Sequence, residues 1–478
     1  MAQIIGRKQE IRELQRIYNL NEARLVAVYG RRRVGKTFLV RELFKEQFVF
    51  YHTGVSPVEL KGKSLIQVQL RAFASTLRDF GFKAPHLPKD WSEAFLFLRQ
   101  HLTERRAGGR MVVFIDEMPW LDTPHSGFIT AFEHFWNSWA SGVDELMLIV
   151  CGSASSWIKD NLINSAGGLY DRVGCEMQLS PFTLGETEQL LVNNGVSLGR
   201  YDITEVYMAT GGIPYYLNYL QPGLSASQQI DLLFFNKKAK LKDEYERLFQ
   251  STFANPDHSR RIVEILCVRH AGFSRDEIST KIGISGKNLT RLLHSLEAGD
   301  FIAKYHPFAK SKREQHYRLT DHFCRFWIEQ VMDKNRSDNY WHANHISNAF
   351  HAWRGIAFEE LCLSHIAQIK TALKIAGVAT EESAWVVKGS DEKSGAQIDL
   401  VIKRSDNIVN LCEMKCCQDE YQVTKEEEMK VRGRITAIME HLKKRQSLNV
   451  TLVTNFGLKH GIHSGIFSNV IVLDDLFC

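Results

Sequence analysis

The chain has 478 residues, too many for one ordinary domain, and length alone points to two to four. Hydrophobic residues make up 44% and charged residues 24%, which excludes disordered and fibrous classes and fits a folded globular protein. A net charge of +5 is compatible with nucleic acid but does not require it. No apolar run reaches membrane-spanning length, so no membrane partner is expected. The opening residues MAQIIGRKQE lack a secretory core, and the nine cysteines show no paired zinc spacing. The expectation is a cytoplasmic protein with reduced thiols.

Ile4 to Leu14 (IIGRKQEIREL) reads as a Gly-Arg turn into an amphipathic helix. Arg24 to Tyr29 (RLVAVY) is a short apolar strand, and Gly30 to Thr37 follows as GRRRVGKT, matching G-x-x-x-x-G-K-[ST]. Phe38 to Glu46 then has helical spacing. Strand, glycine loop and helix N-terminus form a polyphosphate cradle from backbone N–H groups at Gly30, Arg31, Arg32, Arg33, Val34 and Gly35. Lys36 places a charge on the terminal phosphates, and the Thr37 hydroxyl takes a Mg²⁺ position.

Phe48 to His52 (FVFYH) predicts a second strand, and Met111 to Ile115 (MVVFI) a third, ending in Asp116-Glu117. A P-loop site needs such a strand beside it: Asp116 would hold Mg²⁺ and Glu117 would polarise the attacking water. Leu146 to Val150 (LMLIV) is a fourth strand. The Ser153 that follows either senses the γ-phosphate or caps a helix. Arg172 precedes a fifth strand, expected at Glu176 to Leu179, as an arginine finger or an ion-paired surface residue. Gly211, Gly212 and Pro214 break a helical stretch and could set a lid element against the nucleotide.

Together the GR-x-x-E helix, GRRRVGKT, VVFIDE, a strand-end Gly-Ser and the GGIP turn resemble the ATPase family predominant in archaea, a member of the AAA+/STAND group. The resemblance covers roughly residues 1 to 235. It implies a P-loop αβα sandwich with a parallel sheet and a helical lid, ATP as nucleotide, and Ile5 and Gly6 near the base. STAND relatives often work as slow switches.

His258 to Arg318 changes character. Three helices and two alternating strands joined by a basic loop predict a winged helix-turn-helix. Its basic residues outnumber its acids, and Ser285, Lys287, Asn288, Thr290 and Arg291 on the third helix are candidate phosphate and base contacts. The alternative is a purely packing role between domains. Asp321 to Phe350 reads as an aromatic-rich helical linker.

In the last domain, Gly355 to Ile366 (GIAFEELCLSHI) is helical and carries Glu359 and Glu360. AQIDLV and IVNLCEMK read as strands joined by a turn at Ser405 to Asn407. Alternation puts Glu413 and Lys415 on one face, where Glu359, Asp399, Glu413 and Lys415 are expected to converge. The three acids would bind Mg²⁺ and the lysine would stabilise the pentavalent phosphate. Asp399, Glu413 and Lys415 fit D-x(13)-E-x-K and resemble the PD-(D/E)xK phosphodiesterase fold, with Glu359 matching the acid that many members add on the first helix. The resemblance implies an α/β nuclease-like domain.

The expected organisation is an ATPase core (1–180), helical lid (181–250), winged helix (251–320), linker (321–350) and nuclease-like domain (351–478). The leading reading is an ATPase coupled to a Mg²⁺-dependent nuclease acting on nucleic acid, DNA rather than RNA, with homo-oligomerisation as an option. The competing readings are a regulatory switch whose last domain binds without cleaving, and a DNA-binding regulator in which the winged helix dominates.

Overall fold

The computed structural model describes residues 3–56, 65–106, 109–165, 167–310, 314–332, 334, 336–344, 347–387 and 396–478. The chain packs as two compact units. The first holds 1–181, 246–256 and 294–300; the second holds 182–245, 257–293 and 301–478. This division cuts through the expected helical lid (181–250) and winged helix (251–320), parts of which fall in the first unit.

In the first unit five parallel strands form one sheet: β1 (Arg24–Tyr29), β2 (Phe48–Thr53), β3 (Met111–Asp116), β4 (Leu146–Gly152) and β5 (Val173–Gln178). Their order is β2-β3-β4-β1-β5. β3 and β4 are buried at every position, which explains why they read as unbroken apolar runs rather than as alternation. Helices Leu65–Asp79, Trp91–Glu104 and Phe128–Ser138 cover one face with an aromatic cluster, in which Trp91 meets Phe73 and Phe128 edge-on. The order corrects one expectation. β3, which carries Asp116, is not the neighbour of the P-loop strand; β4 lies between them and pairs with both. The fifth strand also starts earlier than expected, at Val173, directly after Arg172.

The second unit contains two sheets. The smaller has the order β6-β8-β7, built from β6 (Phe273–Ser274), β7 (Ile302–Tyr305) and β8 (His316–Leu319). It accompanies helices Pro256–Val268, Arg275–Ile282 and Gly286–Ala298, the last of which continues into the residues of the first unit. Ser274 and Glu277 close a reciprocal capping box at the start of the middle helix, as the Ser-Arg-Asp-Glu pattern requires. The larger sheet has the order β13-β12-β11-β10-β9. Its strands are β9 (Thr380–Val387), β10 (Ala396–Arg404), β11 (Ile408–Lys415), β12 (Ser447–Thr454) and β13 (Asn469–Val472). β9, β10 and β11 are antiparallel neighbours, while β11, β12 and β13 run parallel. Val409 and Leu411 of β11 bury against Val431 and Ile438 of the Lys425–Met439 helix.

Between Ile398 and Val401 the pairing of β10 with β9 slips by one residue, a β-bulge. Ile398 and Val401 lie three apart, and strict alternation would put them on opposite faces. Both belong to the same apolar cluster. The bulge therefore interrupts the alternation at Asp399 and Leu400.

Candidate functional site

The glycine loop needs two backbone conformations that a Cβ would oppose. Gly30 sits at φ 141°, and a Cβ there would lie 2.2 Å from the Leu179 carbonyl oxygen. Gly35, at φ 96°, opens the Lys36–Phe44 helix onto free space. The Lys36 ammonium is buried and folds back over the loop, donating to the Gly30 oxygen at 2.9 Å and the Arg31 oxygen at 3.0 Å. Two carbonyl oxygens thus hold a cation over the glycine loop, the composition of a phosphate cradle. Arg31 is almost fully buried, whereas Arg32, Arg33 and Val34 carry the rest of the loop, Arg33 at φ 72°.

Thr37 Oγ1 donates to Asp116 Oδ2 at 2.9 Å, across the intervening strand. Burial raises the Asp116 pKa, and the neighbouring Glu117 charge adds to this against the Thr37 hydrogen bond. A hydroxyl and a poorly solvated carboxylate in contact form an oxygen donor set that a divalent cation would relieve, so the residues fit Mg²⁺. Glu117 turns out of the strand at φ 45°, and its Oε2 accepts from the Ser153 N–H at 3.1 Å and the Ser153 hydroxyl at 3.0 Å. Because β4 is inserted next to β1, the end of β4 delivers Ser153 to that carboxylate.

Ile5 and Gly6 lie just before Arg7, whose importance the sequence pattern understates. Arg7 is buried at φ 54° and donates to the Val34 oxygen at 3.2 Å and the Ser180 oxygen at 2.6 Å. It also pairs with Glu10 at 3.6 Å, which accounts for the GR-x-x-E spacing. Arg172 is exposed. Pro214 opens a short helix in the second unit, behind Gly212 at φ 64°, where a Cβ would lie 2.4 Å from the Phe182 oxygen.

The second acidic site does not gather all four expected residues. Ligand atoms of Glu359 and Asp399 lie within 4.8 Å of one another and of His270. Glu413 is not part of that group among the described residues. It lies two residues beyond Leu411, whose side chain belongs to the cluster under the Lys425–Met439 helix, and its Oε2 accepts from Arg434 of that helix and stands 4.0 Å from Lys415 Nζ. Asp399 is nevertheless close enough for its charge to act on Glu413, and the β10–β11 pairing beside them runs without a shift. Burial raises the Glu413 pKa, opposed by Arg434 and Lys415, and its Oε1 is buried without a hydrogen-bond partner among the described residues. An orphaned carboxylate oxygen and a two-acid cluster fit a divalent ion.

His270 and Arg434 have no signal in the sequence, because both arrive through long-range packing. His270 Nε2 lies 3.1 Å from Glu359 Oε2 and its Nδ1 lies 3.0 Å from Glu360 Oε1. Burial opposes the imidazolium, but the two carboxylates prevail and lift its pKa to about 10. Glu360 is itself buried, which opposes its charge. The His270 hydrogen bond and the Arg325 charge outweigh that cost and lower its pKa to about 2.

Residues 4–220 match the family described as an ATPase domain predominantly from Archaea. An uncharacterized protein of Methanocaldococcus jannaschii is 21% identical over 402 residues, covering 83% of each chain. An uncharacterized ATP-binding protein of the same organism is 40% identical over 47 residues, 10% of this chain and 80% of that one. Among solved structures, a Walker-type ATPase of Pyrococcus abyssi aligns over 68% of this chain and 96% of its own at 19% identity, with a TM-score of 0.47. No helix among the described residues is long and apolar enough to cross a membrane. Through residues 4–220 the chain belongs to the predominantly archaeal ATPase-domain family.

Proposed function

We propose that the protein binds and hydrolyses ATP in the first unit and uses the nucleotide state to control a metal-dependent phosphodiesterase in the second, acting on DNA. The single observation that carries the second half is the meeting of Glu359, from the Asn348–Ser364 helix, with Asp399, from the β10 bulge. Asp399 sits on a mixed sheet whose next strand carries Glu413 and Lys415, the arrangement that the PD-(D/E)xK resemblance implies.

At the first site Lys36 and the loop N–H groups hold the polyphosphate. Thr37 and Asp116 hold Mg²⁺, which when bound neutralises charge developing on the phosphoryl oxygens. Glu117 accepts the proton of the attacking water, and Ser153 orients that carboxylate. At the second site Glu359 and Asp399 hold the divalent ion, which when bound supplies Lewis acidity at the scissile phosphate. Lys415, beside Glu413, places a cation where the phosphate gains charge. The three-helix module with the β6-β8-β7 sheet is read as a winged helix, with Lys287 and Arg291 of its third helix on the DNA backbone.

One observation favours a second reading. Arg434 already neutralises Glu413, so the last domain would bind nucleic acid without cutting it and the protein would act as an ATP-dependent switch. Product formation on labelled DNA separates the two. Cleavage abolished by Glu413→Ala supports the nuclease; tight, ATP-sensitive DNA binding with no product supports the switch.

A further inference from the structure

We propose that His270 is a direct ligand of the divalent ion at the Glu359–Asp399 site, so that this centre prefers an imidazole-binding transition ion such as Mn²⁺ over Mg²⁺. The proposal rests on the reading of Glu359 and Asp399 as metal ligands and goes beyond it in ligand set and metal choice.

The three groups come from three separate elements. His270 follows the Pro256–Val268 helix, Glu359 lies in the Asn348–Ser364 helix, and Asp399 sits in the β10 bulge. Two ligands held at about 2.2 Å from one ion stand within about 4.4 Å of each other. The observed span of 4.8 Å therefore closes by a few tenths of an ångström. A small cavity of about 10 Å³, room for one ion or one water, is lined by His270, Tyr305, Arg318, Ile398 and Asp399.

What distinguishes a ligand from a mere ion-pair partner is the other side of the ring. Metal-bound histidines commonly give their second N–H to a carboxylate, which fixes the tautomer and aims the free nitrogen. Glu360 places a carboxylate at ion-pair distance on that side, 3.0 Å from Nδ1 and only 3% exposed. Arg325 anchors Glu360 at 3.3 Å and is itself held by Glu329 at 3.2 Å. The chain Glu329–Arg325–Glu360–His270 thus orients the ring so that Nε2 faces Glu359, and an incoming cation takes the place of the Nε2 proton, which leaves to solvent. Imidazole suits the first-row transition ions, whose affinity rises from Mn²⁺ at the weak end of the series, better than it suits hard-oxygen Mg²⁺; Mn²⁺ serves here as the paramagnetic probe of that series.

The test is Mn²⁺ loading of the full chain without nucleotide, read by titration calorimetry and by pulsed electron paramagnetic resonance. The proposal expects tight Mn²⁺ binding with one imidazole nitrogen coupling in the wild type. His270→Asn should lose that coupling and bind at least about ten-fold more weakly. Glu360→Gln should bind about 10- to 100-fold more weakly. His316→Asn, outside the cluster, should keep both coupling and affinity. The wild-type spectrum needs no variant, so a poorly folding substitution does not block the answer. Stoichiometric Mn²⁺ with no imidazole coupling overturns the proposal, as does a coupling that survives in His270→Asn or no Mn²⁺ binding at all. Mg²⁺-dependent cleavage that is unaffected by His270→Asn would reject the ligand and leave the nuclease standing. Imidazole-bound Mn²⁺ with no cleavage under any condition would do the reverse.

Discussion

Ser153 donates twice to the same oxygen of Glu117, through its N–H at 3.1 Å and its hydroxyl at 3.0 Å. The carboxylate that would polarise water is therefore held by the end of the strand inserted between β1 and β3.

Glu117→Gln keeps the shape of the side chain and removes its basicity. Steady-state ATP hydrolysis should fall by about 10²–10⁴-fold in kcat while ATP affinity stays within a few-fold. Ser153→Ala removes one of two hydrogen bonds to that carboxylate and should cost about ten-fold in kcat, again with little change in affinity. Loss of affinity in either variant, measured by titration calorimetry, would place these residues in nucleotide binding instead.

Gly30→Ala should destabilise the first unit more than Gly35→Ala. At Gly30 a Cβ meets the Leu179 oxygen at 2.2 Å in addition to a disfavoured φ; at Gly35 the space is open and only the φ of 96° opposes it. Thermal denaturation without nucleotide should show a loss of at least about 2 kcal/mol for the first and about 1 kcal/mol for the second. Equal losses would mean that loop strain, not the contact with Leu179, sets the requirement.

His365 is buried and neutral. Its Nε2 accepts from the Leu184 N–H at 3.0 Å, so Nδ1 carries the proton, 2.8 Å from the Leu361 oxygen. Burial lowers its pKa to about 4. The unfolded chain binds a proton here near pH 6.5 and the folded chain does not. The stabilisation is therefore complete above pH 6.5, declines as pH falls, and is gone below about 4, a total of about 3 kcal/mol. Urea unfolding of His365→Gln should lose up to about 1.4 kcal/mol per pH unit of the wild-type slope in that window. An unchanged slope would show that other groups carry the acid sensitivity.

The parts of the molecule legible in the sequence are those set by neighbours along the chain. GRRRVGKT, the apolar runs of β1, β3 and β4, and the Ser274 capping box each depend on a few adjacent residues. The parts that were not legible depend on distant contacts. The order of β3 and β4 is a matter of crossover connections, which no local pattern encodes. The one-residue bulge between Ile398 and Val401 breaks the alternation of β10 against β9, and no local pattern marks it. His270, Arg325 and Arg434 reach the acidic residues from elements far along the chain, and nothing in their own surroundings marks them.

The proposed function couples an ATP site to a nuclease site in one chain. The most direct test is cleavage of labelled linear, circular and single-stranded DNA by the purified protein, with Mg²⁺ or Mn²⁺, with and without ATP, alongside Asp399→Ala and Lys36→Ala. Coupled sites should give product that disappears in Asp399→Ala and loses its dependence on ATP in Lys36→Ala. No product under any condition, with ATP binding intact, would contradict the proposed function.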